Sequence, residues 1–327
     1  MPWTAILIHF ALPCIASVGF FYAAALMVWP AIQTGHRSAR LIIFALALAF
    51  AVFAELLLRP EPKIVRGGVS VLALLLALRA YSYCQSSVRG SFLRYIRFLS
   101  IGLLNPHLIY SPSGHHAPRS MAIGKEMARF AGGVLVAIVA CALAKRLLLT
   151  QPAIHSWIVN DLILTCGFVI LMQAYGQSSF ALWKLLGIQS HPLVDHILLS
   201  RTPAEFWRRW SWPIHLWLYR YVYIPAGGNP HRLRATLAVF VMSSLQHEYL
   251  AFSAIGRVTG HQTLFFMLNG LGVLASPAMK RFARRGIVAQ AFTRLLTILF
   301  LATTASLMFT TFNYIFPIYH KKIWLMW

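Results

Sequence analysis

The sequence predicts an all-α, polytopic integral membrane protein, and three observations support that fold class. First, 59% of the 327 residues are hydrophobic and only 11% are charged, whereas a soluble domain carries about 25% charged residues. Second, apolar runs of about 20 residues, the length that crosses a bilayer as a helix, recur along the whole chain. Third, few segments alternate as a strand would. We therefore expect one membrane-embedded domain over residues 1–327, with roughly eight to ten membrane helices and one interfacial amphipathic helix.

The expected helices follow one another along the chain. The first two spans are Thr4–Trp29 and Arg40–Arg59, and Gly67–Arg79 is a short segment expected to be re-entrant or tilted. Between Tyr81 and Arg129 the chain turns polar, and its loop residues predict an irregular stretch. The remaining expected spans are Phe130–Leu149, Ile154–Tyr175, Ala235–Ile255, Gln262–Met279 and Ile287–Pro317.

The charge balance is strongly basic, with 29 Lys and Arg against 7 Asp and Glu. Nucleic-acid binding is not expected, because that function needs the basic residues on a polar fold. Two compatible interpretations remain. The basic residues anchor cytosolic loops and contact anionic lipids, or they form a basic mouth for an anionic substrate such as a phosphate-bearing coenzyme. The cluster Lys280–Arg285 is the strongest cytosolic signal.

No metal site is expected. The four cysteines are scattered through apolar runs without paired spacing. The histidine pairs His115–His116 and His191–His196 have no convincing third ligand.

A basic, aromatic-rich segment over residues 201–229 departs from lipid-facing apolarity. Thr202, Pro203 and Glu205 form a capping box with proline at the first helical position, and Pro213 is expected to kink the helix. An apolar stripe recurs at helical spacing, at Phe206, Trp210, Ile214, Trp217 and Tyr221. Basic side chains lie off that stripe, at Arg208, Arg209, His215 and Arg220. The segment is either an interfacial anchor without chemistry or the platform of an active-site chamber in which arginines hold phosphates.

A second polar island, Met242–Leu250, interrupts an apolar expected span. His247 shares a helical face with Ser243 and Ser244, whereas Glu248 points elsewhere. A lone histidine on an apolar helix is often structural. A histidine and a glutamate at membrane depth are costly, however, and by default they indicate function.

At these residues the sequence resembles the membrane-bound O-acyltransferase superfamily. The block Leu186–Asp195 followed by Thr202–Trp210 resembles the signature of plant and fungal wax synthases. Phe206–Trp210 with Tyr223–Asn229 resembles the alginate O-acetyltransferase branch, and His247–Leu250 is similar to the catalytic block of sterol and diacylglycerol acyltransferases. The resemblance is sharp over about residues 180–255 and hydropathic elsewhere.

The resemblance implies an assignment of roles. His247 matches the invariant catalytic histidine of the family. The second catalytic position, an Asn, His or Asp directly after the Trp-Arg-Arg-Trp block, is Ser211 here, and His215 lies one turn further along. The residues implied for binding substrate or acyl-CoA are Trp207, Arg208, Arg209, Trp210, Asn229, Ser243, Ser244 and Glu248. The implied co-substrate is acyl-CoA, with no permanently bound cofactor.

Three functions remain open at this point. The first is a wax-ester-synthase-like transfer of an acyl group from acyl-CoA to a hydrophobic alcohol, with His247 as general base. The second is O-acetylation of a polysaccharide or secondary metabolite. The third is a transporter or non-catalytic membrane protein, for which intramembrane acids such as Asp161 would be the functional groups. The compact chain and the absence of an ER-retrieval tail favour a bacterial inner membrane over the endoplasmic reticulum.

Overall fold

The computed structural model describes residues 12–34, 62–85, 91–104, 122–150, 155–186 and 192–315, with isolated helical positions between 38 and 49. These residues lie in helices, turns and short irregular connections and contain no strand, so the expected all-α fold class is confirmed. The chain divides into two compact units. One is drawn from residues 1–114 and 246–259, and the other from residues 115–245 and 260–327. A single domain over the whole chain stays a prediction.

Within the described residues, the first unit has four helices with defined bounds before residue 114. They are α1 (Leu12–Met27), α2 (Trp29–Thr34), α3 (Lys63–Gln85) and α4 (Phe92–Leu104). Their core is rich in aromatic rings: Tyr83 and Tyr95 are completely buried, with ring centroids 4.8 Å apart. Trp29 stacks on Tyr95 at 5.7 Å. Residues 4–11 of the expected first span and most of Arg40–Arg59 lie outside the described residues.

Helix α3 corrects the expectation of a short segment at Gly67–Arg79, because it runs over 23 residues and is long and apolar enough to cross a membrane. Arg79 does not end the helix, since its guanidinium is buried and held by two contacts with Phe98. It lies 4.0 Å from the centroid of the Phe98 ring and donates to the Phe98 carbonyl. A cation held by an aromatic face and a carbonyl is accommodated inside a helical bundle.

Helix α4 corrects a second expectation, because it occupies residues predicted to be irregular. Its buried face includes Tyr95, Phe98 and Leu99, so tertiary packing stabilises a helix that the loop signals around it obscured. The strongest of those signals, Asn105–Pro118, lies outside the described residues.

The second unit contains longer helices and, over residues 201–229, a segment that is broken into short helices and turns. Its elements are α5 (Ile123–Leu148), α6 (Trp157–Leu185), a 3-10 turn (Ile197–Leu199), α7 (Pro203–Arg209), α8 (Trp212–Leu218), a π-helical turn (Tyr219–Tyr223), α9 (Arg232–Ile255), α10 (His261–Ala283) and α11 (Ile287–Ile315). Only the first part of α9, to Leu245, belongs to this unit.

Four described helices are long and apolar enough to cross a membrane, namely α3, α5, α6 and α11. Helices α9 and α10 form near the positions expected for spans and have 24 and 23 residues, but they carry more polar side chains. The polytopic membrane character expected from composition is therefore confirmed.

Helices α5 and α6 approach each other closely at Gly133. A Cβ atom there would lie 2.1 Å from the Ser178 Oγ, so only glycine permits this contact. Near the start of α5 the buried Glu126 carboxylate accepts from Arg129 Nη1 at 2.9 Å and from Lys184 Nζ of α6 at 3.0 Å. At the other end α6 packs against the last turns of α11, with Phe168 and Phe309 in edge contact.

Candidate active site

The candidate residues divide between the two units. His247 and Glu248 belong to the first unit, whereas residues 207–215, Asn229, Ser243 and Ser244 belong to the second. Each group is described within its own unit.

The start of α7 has the predicted cap. The Thr202 Oγ1 accepts from the Glu205 amide at 3.3 Å, with Pro203 in the first turn. The Glu205 carboxylate accepts from the Arg201 amide at 3.0 Å instead of from Thr202, so the capping box closes one residue earlier. The Ala204 amide donates to Ser276 Oγ at 3.0 Å and ties this end of α7 to α10.

The segment breaks at Ser211, and the expectation of one helix kinked at Pro213 was wrong. Helix α7 ends at Arg209, and α8 begins at Trp212 with Pro213 in its first turn, where a missing amide proton breaks no helical bond. Ser211 lies between the helices in the left-handed conformation, with φ 43° and ψ 66°. Left-handed backbone costs a residue with a side chain about 1–2 kcal/mol, so neighbouring contacts must hold it.

Those contacts come from the segment before α7. The Trp212 amide donates to the Leu193 carbonyl at 2.8 Å, and the Asp195 amide donates to the Arg209 carbonyl at 3.0 Å. His196 is also left-handed, with φ 46°. Residues 193–196 and 209–212 are thus paired through their backbones, which fixes the angle between α7 and α8.

The break divides the predicted aromatic stripe. Phe206 and Trp210 stack at 5.4 Å on α7, while Trp217 packs on Tyr221 at 5.5 Å beyond the break. The two halves follow different helix axes, so they form two separate aromatic contacts.

Trp207 is held by a hydrogen bond that the sequence did not reveal. Its Nε1 donates to the Oδ1 of Asn269, a residue of α10 with 0% exposure, at 3.0 Å. The Nδ2 of Asn269 donates to the Phe265 carbonyl at 2.9 Å and to Thr304 Oγ1 at 3.2 Å. The Trp207 ring also meets Phe240 edge-on at 5.7 Å. The available signal was an asparagine inside an apolar expected span.

The two adjacent arginines have different environments. Arg209 Nη1 donates to the His196 carbonyl at 3.0 Å, so its guanidinium supports the backbone pairing. Arg208 is exposed. Burial lowers the pKa of His215, and the positive charge of Arg208 lowers it further. The half-buried His215 ring stacks on that of Trp212, with centroids 6.2 Å apart, and the lowered pKa favours its neutral form.

Asn229 closes the turn that follows α8. The Tyr223 hydroxyl donates to Asn229 Oδ1 at 3.0 Å, and Arg234 Nε donates to the Ala226 carbonyl at 2.7 Å. Both contacts hold residues 223–234 in a defined turn before α9.

Ser243 and Ser244 are buried on α9, and their hydroxyls bond within the helix. Ser243 Oγ donates to the Val239 carbonyl at 3.0 Å and Ser244 Oγ to the Val241 carbonyl at 2.8 Å. A hydroxyl that donates to its own helix keeps its lone pairs available as acceptors.

The part of α9 that belongs to the first unit combines buried polar side chains with a half-buried histidine. Gln246, Glu248 and Ser253 are buried, and His247 lies among them in sequence. This part of α9 packs on α3, where a Cβ on Gly67 would lie 3.5 Å from the Ala254 Cβ. Four polar residues, three of them buried, within eight positions of one helix form an arrangement that indicates function in a membrane protein.

No group of three His, Cys, Asp or Glu side chains is arranged to hold a metal ion within the part of the chain that the structure describes. His115, His116 and His191 lie outside that part.

The sequence matches a known family over most of its length. The model of the MBOAT family, membrane-bound O-acyltransferases, matches residues 81–310. The chain belongs to this family. The matched region contains all candidate residues of both units, so the resemblance noted from short motifs is confirmed by a match that extends well beyond them.

Similar proteins come from fungi and plants. The chain is 35% identical over 71 residues to membrane-bound O-acyltransferase GUP1 of Saccharomyces cerevisiae, which covers 21% of this chain and 13% of that protein. It is 31% identical over 135 residues to the probable long-chain-alcohol O-fatty-acyltransferase 2 of Arabidopsis thaliana, covering 38% of this chain and 39% of the relative. It is 37% identical over 51 residues to diacylglycerol O-acyltransferase 1C of Glycine max, covering 15% of this chain and 10% of that protein.

The matched segments thus span less than half of these relatives. The similarity to long-chain-alcohol O-fatty-acyltransferases agrees with the expected wax-synthase-like branch. All three organisms are eukaryotes, so the relatives give no support to the expected bacterial inner membrane. The multi-pass membrane location is supported by the family and by the apolar helices.

Proposed function

We propose that this chain transfers an acyl group from acyl-CoA to the hydroxyl of a hydrophobic alcohol, with His247 as the general base. The observation that carries the proposal is the family match over residues 81–310, which includes His247 and the α7–α8 break. The similarity to long-chain-alcohol O-fatty-acyltransferases supports an alcohol with a long apolar chain as the acceptor.

In the proposed reaction the neutral imidazole of His247 accepts the proton of the acceptor hydroxyl. The alcohol oxygen attacks the thioester carbonyl, an oxygen–carbon bond forms, the carbon–sulfur bond breaks, and the CoA thiolate leaves with the proton from the imidazolium. General base catalysis contributes a factor of about 10² to 10⁴ in rate. Holding both substrates in one geometry supplies much of the remainder.

Ser211 and His215 are two alternatives for the second catalytic position. Ser211 makes no side-chain cap to α8, so its hydroxyl is available to hydrogen-bond a substrate carbonyl. Burial and Arg208 lower the pKa of His215 and so favour its neutral form, in which one ring nitrogen donates a hydrogen bond and the other accepts one. The two residues are one helical turn apart, and the amide of His215 donates to the Ser211 carbonyl at 2.9 Å.

Among the proposed binding residues, Arg208 is the best candidate to contact the phosphates of acyl-CoA, because its side chain is exposed. The guanidinium of Arg209 already donates to the His196 carbonyl. Trp207 and Trp210 pack on the buried Phe206, so we propose that they fix the platform. Ser243, Ser244 and Glu248 are proposed to supply polar contacts on α9, and Asn229 to position the turn before it.

The direct experiment uses the purified full chain in lipid nanodiscs. Palmitoyl-CoA and hexadecanol are supplied, and mass spectrometry detects the wax ester while a thiol reagent measures released CoA. Stoichiometric ester and CoA support the proposal. Ester formation only with acetyl-CoA and a polysaccharide or a small polar alcohol would establish the alternative acetyltransferase. CoA release without ester from any alcohol would refute both.

A further inference from the structure

The turn between α10 and α11 carries an unusual concentration of positive charge. Residues 280–285 include one lysine and three arginines and no acid. The Lys280 Nζ lies 3.8 Å from Glu205. Arg281, Arg284 and Arg285 are exposed, and the ion pairs found among the described residues include none of them. We call Arg281, Arg284 and Arg285 the basic turn.

Large apolar side chains are exposed next to the basic turn. Ile287 and Val288, at the start of α11, are 83% and 79% exposed, and Phe292 is 55% exposed. The Arg285 guanidinium lies over the Phe282 ring, 5.4 Å from the ring centroid. The Phe282 ring in turn contacts the Phe292 ring edge-on, with centroids 5.9 Å apart. Guanidinium groups therefore lie directly beside a surface that water solvates poorly.

The turn is held in place by the helices on either side. Ala283 and Ala289 are buried, and the Arg285 amide donates to the Phe282 carbonyl at 3.0 Å. Gly286 has φ 136°, a conformation that only glycine adopts readily. Because α11 is long and apolar enough to cross a membrane, its first residues lie where the hydrocarbon core meets the headgroups.

We infer that the basic turn binds the headgroup phosphate of an anionic phospholipid, while Ile287, Val288 and Phe292 contact its acyl chains. Arginine holds phosphate through paired N–H donors, and aromatic and aliphatic side chains contact the glycerol and acyl region. A free phosphate or a nucleic acid would contact the arginines alone and make no use of the apolar side chains beside them. A lipid satisfies both, and this inference does not depend on the acyl-transfer reaction.

The test compares two adjacent cation pairs at opposite ends of the second unit. Arg284→Gln/Arg285→Gln removes two cations of the basic turn. Lys145→Gln/Arg146→Gln removes a pair that is also exposed, from the last turn of α5. That turn packs near the C-terminal end of α11, whereas the basic turn precedes the N-terminal end of α11. Each full-length protein is titrated in zwitterionic detergent with dioleoylphosphatidylglycerol or dioleoylphosphatidylcholine, and native mass spectrometry counts the retained lipids.

The wild type is expected to retain phosphatidylglycerol in preference to phosphatidylcholine. Each basic residue near the membrane surface contributes a factor of about five in binding, so loss of the arginine pair should weaken phosphatidylglycerol retention about 25-fold. Loss of the α5 pair should change that retention less than twofold. Equal losses in both variants would overturn the inference by showing a general charge effect. Equal binding of glycerol 3-phosphate and the intact lipid would overturn it in favour of a phosphate site. A thermal unfolding scan of each variant establishes that it is folded. Arg284→Lys/Arg285→Lys keeps the charge but loses the paired N–H donors, so it should bind phosphatidylglycerol more tightly than the glutamine pair and more weakly than the wild type.

Discussion

The bond between Trp207 and Asn269 gives a prediction whose magnitude follows from the structure. The indole N–H donates to a completely buried amide oxygen at 3.0 Å. Asn269→Leu removes the acceptor at similar volume and leaves the N–H of the half-buried Trp207 ring without this partner. Trp207→Phe removes the donor and leaves the Asn269 oxygen without its partner from α7.

An orphaned buried polar group costs about 1–3 kcal/mol, whereas replacing both partners with apolar groups is nearly neutral. Each single substitution should therefore lower the free energy of unfolding by about 1–3 kcal/mol. The double variant should lose less than the sum of the two, with a coupling energy of about 1–2 kcal/mol. The Thr304 hydroxyl is not orphaned, because its Oγ1 also donates to the Phe300 carbonyl at 2.9 Å. The Phe265 carbonyl lies inside α10, where a carbonyl accepts the backbone amide four residues further on.

The assay is thermal unfolding of the four proteins in one detergent, together with the initial rate of ester formation. The double variant should unfold at a higher temperature than additivity predicts. Because the bond anchors α7 beside Arg208, KM for acyl-CoA should rise in both single variants and partly recover in the double variant. Strict additivity of the unfolding temperatures would show that the bond contributes nothing and would refute the anchoring role of Asn269.

Three further predictions concern other described residues. Ser211→Gly should be at least as stable as the parent, because left-handed backbone costs a residue with a side chain about 1–2 kcal/mol and glycine almost nothing. Ser211→Val should unfold at a lower temperature than the parent, because a β-branched side chain tolerates this conformation less well than serine does; a fully tolerated valine would contradict the backbone assignment. Burial and Arg208 lower the pKa of His215 in the folded protein. As the pH drops below about 6.5, the histidine is therefore protonated in the unfolded chain before it is protonated in the folded one, and the unfolding temperature should fall. Arg208→Gln should raise the pKa of His215 and make the unfolding temperature depend less on pH. Glu126→Gln should lower the free energy of unfolding by only about 1 kcal/mol, because its partner Lys184 is 29% exposed and solvent screens the pair. No change in the unfolding temperature would show that the ion pair contributes nothing to stability.

The sequence predicted the fold class and the start of α7 because both depend on strong local signals. Composition and apolar run length indicate membrane helices without knowledge of packing. Thr202 and Glu205 satisfy the first amides of α7 within a few residues, so their effect is visible in the sequence itself.

Other features depend on contacts between segments far apart in the chain, which local patterns do not encode. The break at Ser211 follows from the Leu193 carbonyl that accepts from the Trp212 amide, so Pro213 alone pointed to the wrong residue. Arg79 was expected to end a helix because the sequence around it shows no partner for a buried cation. Its partner Phe98 belongs to α4. Asn269 was missed as a structural anchor because its partner Trp207 is 62 positions earlier.

The most direct test of the account is the initial rate of ester formation by His247→Ala. The control is His231→Ala, which removes an exposed imidazole just before α9. Both variants are to be matched to the parent in expression, membrane insertion and unfolding temperature. We expect His247→Ala to lower kcat by about 10² to 10⁴ and His231→Ala to leave it within twofold of the parent. A folded His247→Ala protein that forms ester at the parent rate would contradict the assignment of His247 as the general base.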